Sequence, residues 1–216
     1  MMLNQKGFTL MELLVAMSLS VAVLFAARSV YRVQAHTVKA QEYQMEAQEY
    51  GRVSLDMMAR EIRNLGYFPT RTACTTSPAN TSGIVTATET SISFVYDANG
   101  DGDCADTGEN VTYTYDSSTK NISRTADGST QVLTNGNVTA FQLIYYPKQT
   151  GASAPPPYCN SAGNPSGCSG GNASANLGSI QRVSISLTVK LLKTDPNFGG
   201  QNNVVMSSNV DLRNRF

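Results

Sequence analysis

The chain has 216 residues, 41% of them hydrophobic, which suffices for one domain with an ordinary core and leaves little for a second. Lysine plus arginine and aspartate plus glutamate both number 16, so no net field of either sign draws the chain to nucleic acid or to an acidic surface. Charged residues are only 15% of the chain, against roughly 25% in an average soluble domain, and Ser, Thr, Asn and Gly replace them, as in many exported β-rich proteins.

The first element is the apolar run FTLMELLVAMSLSVAVLFAA, residues 8–27. About 20 residues at 1.5 Å rise reach roughly 30 Å, one hydrocarbon core. Lys6 precedes the run, and Arg28 and Arg32 follow it. Lys6 holds the short leader on the cytoplasmic side, which sends the rest of the chain outward. The run is longer than the core of a signal peptide, and no A-x-A exit follows it. Glu12 is the ionisable group inside it. A carboxylate at membrane depth costs about 2.5–3.5 kcal/mol on insertion scales, less near the interface where Glu12 sits. Two readings are open: an interfacial acid of no consequence, or an acid awaiting a cation in a low-dielectric assembly.

From Arg28 to Leu65 there is no proline and one glycine, Gly51, among many good helix formers. Leu55, Met58, Ile62 and Leu65 form one narrow apolar stripe, while Glu42, Glu46 and Glu49 share another face. The pattern predicts one helix from Phe8 to Leu65, roughly 85 Å long. Residues 8–27 are apolar all round, and residues 28–66 are amphipathic and should pack on a head. Gly66 reads as the C-cap, Pro69 prevents renewal, and Gly51 allows a bend. His36 reads as a solvated helix residue and Met57–Met58 as core filler.

After Pro69 the composition shifts, and residues 67–216 read as a β-rich globular head. Alternation marks strands at Ser91–Asp97, Val111–Tyr115, Asn121–Thr125, Val138–Tyr146, Ile180–Leu192 and Val204–Leu212. The expected fold class is α+β: a long N-terminal helix packed on one face of an antiparallel meander. The loop DANGDGDCADTGE alternates Asp97, Asn99, Asp101 and Asp103 as a calcium-binding loop does. The twelfth position, where such a loop needs a bidentate Glu, is Gly108, and Glu109 comes one residue late. The alternative is an acidic hairpin loop, since Asn-Gly and Asp-Gly are strong turn formers. Residues 147–179 form a second irregular region, read either as a contact surface at a filament tip or as a tolerated insertion.

Four cysteines, Cys74, Cys104, Cys159 and Cys168, follow a membrane-targeting start, which implies an oxidising compartment and two disulfides. Three pairings are open. Order along the chain favours Cys159–Cys168 around a short loop, leaving Cys74–Cys104. No C-x-x-C occurs and the single histidine is distant, which disfavours zinc. The five N-x-S/T triplets need no explanation beyond composition. No G-x-S-x-G, P-loop or H-E-x-x-H is present, so no catalytic set is expected.

The segment KGFTLMELLVAM resembles the class III leader and N-terminal helix of type IV pilins and pseudopilins, matching their pattern at Lys6, Gly7, Phe8, Thr9, Leu10, Glu12 and Leu13. LDMMAREIRNLGYFP and the closing VDLRNRF resemble PilW-type minor pilins and the related J-type pseudopilins of type II secretion. The resemblance implies that residues 1–7 are a leader, that a prepilin peptidase cuts between Gly7 and Phe8, and that the new Phe8 terminus is N-methylated. It implies that Glu12 neutralises the Phe8 ammonium of a neighbouring subunit. It also implies an inner-membrane subunit with a periplasmic head, whose partners are other pilin subunits and the assembly platform of a surface pilus. A type II secretion pseudopilin is the alternative. A DNA-uptake or adhesion subunit is a further one, but Lys120, Arg124, Lys148 and Arg182 are scattered rather than clustered with aromatics, a poor signal for nucleic acid. A tethered enzyme would require a pocket with convergent titratable groups.

Overall fold

One helix, α1 (Leu10–Asn64), runs through the first quarter of the chain without a break. The computed structural model describes residues 8–69, 74, 82–149, 155–158, 173–190 and 203–213. Thr9 caps the start of α1 from an extended conformation. At the other end Leu65 leaves helical geometry and Gly66 takes a φ of 68°, a left-handed conformation that suits glycine. The Gly66 N–H donates to the Val95 carbonyl at 3.1 Å and the Asp97 N–H to the Tyr67 carbonyl at 2.8 Å, so the helix exit is tied to a strand end.

Eight strands follow among the described residues. Five form one antiparallel sheet in chain order: β1 (Ile84–Ala87), β2 (Ser91–Val95), β3 (Asn110–Asp116), β4 (Asn121–Ala126) and β5 (Ser129–Val132). The other three form a second antiparallel sheet, also in order: β6 (Val138–Pro147), β7 (Ile180–Lys190) and β8 (Asn203–Asp211). The expected single meander is therefore two. Alternation tells which face of a strand is buried, not which strand lies beside it. The edge strands β1 and β5 were not foreseen. The four residues of β5 are all exposed, so its sequence carries no alternation to read.

A single core joins the helix to both sheets. Ala47, Leu55, Met58, Ala59 and Ile62 of α1 meet Ile92, Phe94, Val111 and Tyr113 from the first sheet, and Leu143, Tyr145, Ile185 and Leu187 from the second. Burying each large side chain contributes about 1.5–3 kcal/mol. The sheets are linked where the Tyr145 hydroxyl donates to the Thr88 carbonyl at 2.8 Å and the Leu143 N–H to the Glu89 carbonyl at 2.8 Å. Gly51 is buried where α1 meets the second sheet, and a Cβ there would overlap the Met206 methyl and lie 3.1 Å from Val189 Cγ2. Its missing side chain is what lets α1 approach β7 and β8.

Candidate functional site

The N-terminal turn of α1 is built as a capping box. The Glu12 N–H donates to Thr9 Oγ1 at 3.3 Å, and Glu12 Oε2 accepts from both the Thr9 N–H and the Thr9 hydroxyl at 3.0 Å. One carboxylate oxygen thus satisfies the helix start. Among the described residues nothing donates to Oε1, which stays available to an outside donor. Phe8, beside this turn, is 89% exposed. Gly7 lies outside the described residues.

Above the cap, every residue from Phe8 to Gln34 is exposed, and the helix is long and apolar enough to cross a membrane. Ser18, Ser20 and Ser29 turn their hydroxyls back onto carbonyls three or four residues earlier, so their polar groups are satisfied within the helix. What remains on the surface is an uncovered apolar rod with one carboxylate at its base.

The acidic loop is folded onto itself. Asp97 is buried, and its two oxygens accept from the Gly100 N–H at 2.6 Å and the Gly102 N–H at 3.0 Å. Glu109 is also buried and accepts from the Ala98 N–H at 2.8 Å and the Asp106 N–H at 3.3 Å. The structure does not assemble Asp97, Asn99, Asp101 and Asp103 as one ligand set. It brings together Asp101, Asp103 and Asp106, whose oxygens lie within 4.8 Å of one another, with the Asn99 amide nitrogen 2.6 Å from Asp106. The Asp103 N–H, followed by the Asn99 amide, holds the Asp101 carboxyl below its ordinary pKa. Asp97 and Glu109 serve as internal caps of the loop. Cys104 anchors it from below through a disulfide to Cys74, with a Cα–Cα distance of 5.5 Å, next to Phe68 and Val95. Cys159 and Cys168 lie outside the described residues.

At the far end of the second sheet, Tyr146, Lys148, Gln181, Arg182, Asn209 and Asp211 line a groove of about 460 Å³. Two of its three charged residues, Arg182 and Asp211, are bonded to each other at 2.6 Å.

A family model described as prepilin peptidase-dependent protein B matches residues 40–207, most of the chain. The chain belongs to that family. The prokaryotic N-terminal methylation motif matches residues 2–27, which include the capping box and the start of the apolar rod. No curated protein and no solved structure matches the chain. As a member of this family, the chain is a processed, pilin-type structural subunit with an N-terminal helix fit for a membrane anchor.

One functional group escaped sequence reasoning. Beside the core that joins stem to head, Glu61 adds a polar joint. It accepts from Arg124 Nε of β4 at 2.9 and 3.1 Å and from the Tyr113 hydroxyl of β3 at 2.7 Å. Burial, followed by the bond to Glu61, pushes the Tyr113 phenol far up; the same carboxylate raises the Arg124 guanidinium. Arg124 is therefore no free surface cation. Glu61 was legible only as an acid one residue before Ile62 of the buried stripe, a position that also suits an ordinary solvated acid.

Proposed function

We propose that this chain is a minor pilin of a type IV pilus. A prepilin peptidase cuts it between Gly7 and Phe8, and Phe8 is then N-methylated. Residues 8–27 hold it in the inner membrane with its head in the periplasm, and it then enters or primes a filament that reaches the cell surface. The observation that carries this reading is the uncovered rod. Large side chains such as Leu10, Leu13, Met17, Leu24 and Phe25 are more than half exposed, and no other part of the described chain packs on them. Such a surface is stable in lipid or against other stems, and not in water.

Glu12 gives the transfer a direction. In the bilayer its charge is costly. Cleavage creates an ammonium on Phe8, and in a filament the free Oε1 of Glu12 can accept from the Phe8 ammonium of a neighbour. Each ion makes burial of the other tolerable, and either one buried alone is strongly unfavourable. The partners in this reading are other pilin subunits, the prepilin peptidase and the assembly platform. The PilW-type likeness of residues 55–69 and of the final VDLRNRF favours a pilus over a type II secretion pseudopilus.

Mass spectrometry of sheared surface filaments tests this. The expected product is a peptide that begins at N-methylated Phe8. A leader still attached to membrane-extracted protein, with no such peptide in filaments, overturns the proposal.

A further inference from the structure

The second sheet closes one of its edges and leaves the other open. At β6 the edge is taken: the Leu143 N–H donates to the Glu89 carbonyl at 2.8 Å, and the Tyr158 N–H donates to the Tyr145 carbonyl at 2.8 Å. At β8 it is not. Bonded and unbonded residue pairs alternate along an antiparallel ladder. The Leu212 N–H donates to the Gln181 carbonyl at 2.8 Å, and counting back along the register turns the main-chain groups of Val210, Ser208, Met206 and Val204 toward β7. Those of Val205, Ser207 and Asn209 therefore point away from the sheet, and no partner among the described residues meets them. Protein edges are usually blunted by proline, a bulge or a charged side chain. Residues 203–210 hold no proline, glycine or charge, and the ladder between β7 and β8 runs without a register shift. Beside this edge lies a cleft of about 400 Å³ between α1 and β8, lined by Met45, Gln48, Glu49, Arg52, Val204 and Met206. Val204 and Met206 turn toward α1 yet are only partly buried, as the inner side chains of a strand with one flank missing are.

We infer that the β8 edge receives an extended strand from a different pilin-type subunit, which adds to the second sheet and covers the cleft. That the donor is another subunit rests on the pilus reading. The free N–H and C=O groups at alternate residues repeat at the spacing of another main chain. Inward side chains of the added strand fall opposite Val204 and Met206, at unbonded positions where paired Cα atoms lie about 4.5 Å apart, so they fill the cleft. There an apolar side chain meets Met45 and Met206, and charged ones meet Glu49 and Arg52, which are exposed and form no ion pair among the described residues. The donor strand thus alternates outward polar residues with inward apolar, basic and acidic ones. The same edge of a second copy does not fit. Antiparallel pairing of β8 with β8 sets a two-fold axis normal to the sheet, and α1, which packs on β7 and β8, then points in opposite directions in the two copies. Two chains anchored through residues 8–27 in one bilayer point the same way. Parallel pairing avoids the reversal but forms the weaker ladder.

The test uses the full-length chain in its own cells, with Met45 replaced by the photo-reactive p-benzoylphenylalanine. Irradiation is expected to link it to a different processed pilin-type subunit, and mass spectrometry is expected to place the link in a peptide with the alternation described above. Ser207→Pro removes an outward N–H and none of the bonds to β7, so the head should fold and the link should fall about tenfold. Arg52→Glu changes an exposed side chain outside the core, so it reads the cleft even if the proline variant fails to fold. It should lower the link about fivefold, and Arg52→Lys should keep most of it. A link within the chain, to a second copy, or to a protein without a prepilin-type terminus overturns the inference. So does a link that neither variant changes, or no link at all. The Phe8 terminus is read from filaments of the same cells. If it is present and the link is absent, strand addition fails and the pilus reading stands. If it is absent while the link to another such subunit forms in the membrane, strand addition stands and the filament reading fails.

Discussion

Met17 and Met58 are the same residue type on the same unbroken helix, yet Met17 is 63% exposed and Met58 is 0% exposed. Among the described residues the lower part of α1 meets no other part of the chain, while the upper part has seven buried residues, five of them in the core. Helicity is equal in both parts because it depends on local propensity and backbone bonding. Burial is unequal because the upper part packs on this chain's own sheets, while the lower part is left, in the proposed reading, for lipid and other subunits. Substitutions below should therefore change assembly and leave the head's stability alone, and those above should do the reverse.

The largest expected effect lies below. Glu12→Ala should still be inserted and processed, and the melting of the head should not move. It removes the charge that makes the bilayer unfavourable and leaves a neighbour's ammonium unpaired in the filament. Breaking a buried pair costs about 3–5 kcal/mol, or roughly two orders of magnitude or more in incorporation. The ratio of filament to membrane protein measures this. Unchanged entry by Glu12→Ala would break the comparison at its base.

Met58→Ala is the counterpart above. It opens a cavity in a core shared by the helix and both sheets, and should cost the head about 2–5 kcal/mol by denaturant unfolding. Met17→Ala should cost the head nothing. A fall in head stability with Met17→Ala would mean that the stem is not independent of the head.

The Cys74–Cys104 disulfide sharpens the contrast within the head, since it secures the acidic loop rather than the helix core. Replacing both cysteines by serine should lower head stability by about 2–4 kcal/mol, mainly by freeing the unfolded chain. Incorporation should persist wherever the head still folds. Chemical denaturation with and without the bridge measures it.

The sequence made some of this legible and hid the rest for physical reasons. The helix was readable because Gly66 and Pro69 end it and Leu55, Met58 and Ile62 repeat at helical spacing. The strands β2, β3, β4, β6, β7 and β8 were readable through alternation. β5, STQV, is exposed on every side chain and offered no pattern. The division into two sheets lay beyond reach, because strand pairing depends on tertiary packing rather than on either strand alone. Asp97 looked like a cation ligand because carboxylates spaced two apart suit both an ion and successive turns in which a side chain accepts a backbone N–H. Glu12 stood out because an acid in an apolar run has no cheap explanation. Glu61 did not, because an acid on an amphipathic helix has many.

The Glu61 joint gives a smaller effect than the cysteines and tests whether the helix is fixed to the head by polar contacts as well as by the core. Glu61→Ala leaves Arg124 and the Tyr113 hydroxyl without their partner at a site about four-fifths buried. The expected loss is about 1–3 kcal/mol. Arg60→Ala, which breaks the exposed pair with Asp56 one residue away, should cost under about 0.5 kcal/mol. Equal losses would show that the buried carboxylate contributes no more than a surface charge.

The smallest effect is one of pH, and it belongs to an exposed turn of the head. Asp116 accepts from the Ser118 hydroxyl, from the Ser118 N–H at 2.8 Å and from the Thr119 hydroxyl, so its carboxyl is held down to about 2 from an ordinary 3.8. A carboxyl depressed in the folded state binds its proton more readily when unfolded. Its contribution is therefore complete above about pH 4 and fades as pH falls through about 2. Asp101, also held low, acts in the same direction. Asp116→Asn with Asp101→Asn should lower the melting temperature of the head slightly at pH 7, where the contribution is complete, and make its fall across that acid window less steep. If the variant and the natural protein lose stability in parallel between about pH 4 and pH 2, the acid sensitivity lies with other carboxylates, and this turn is held by its backbone geometry, with Lys120 at a φ of 56°.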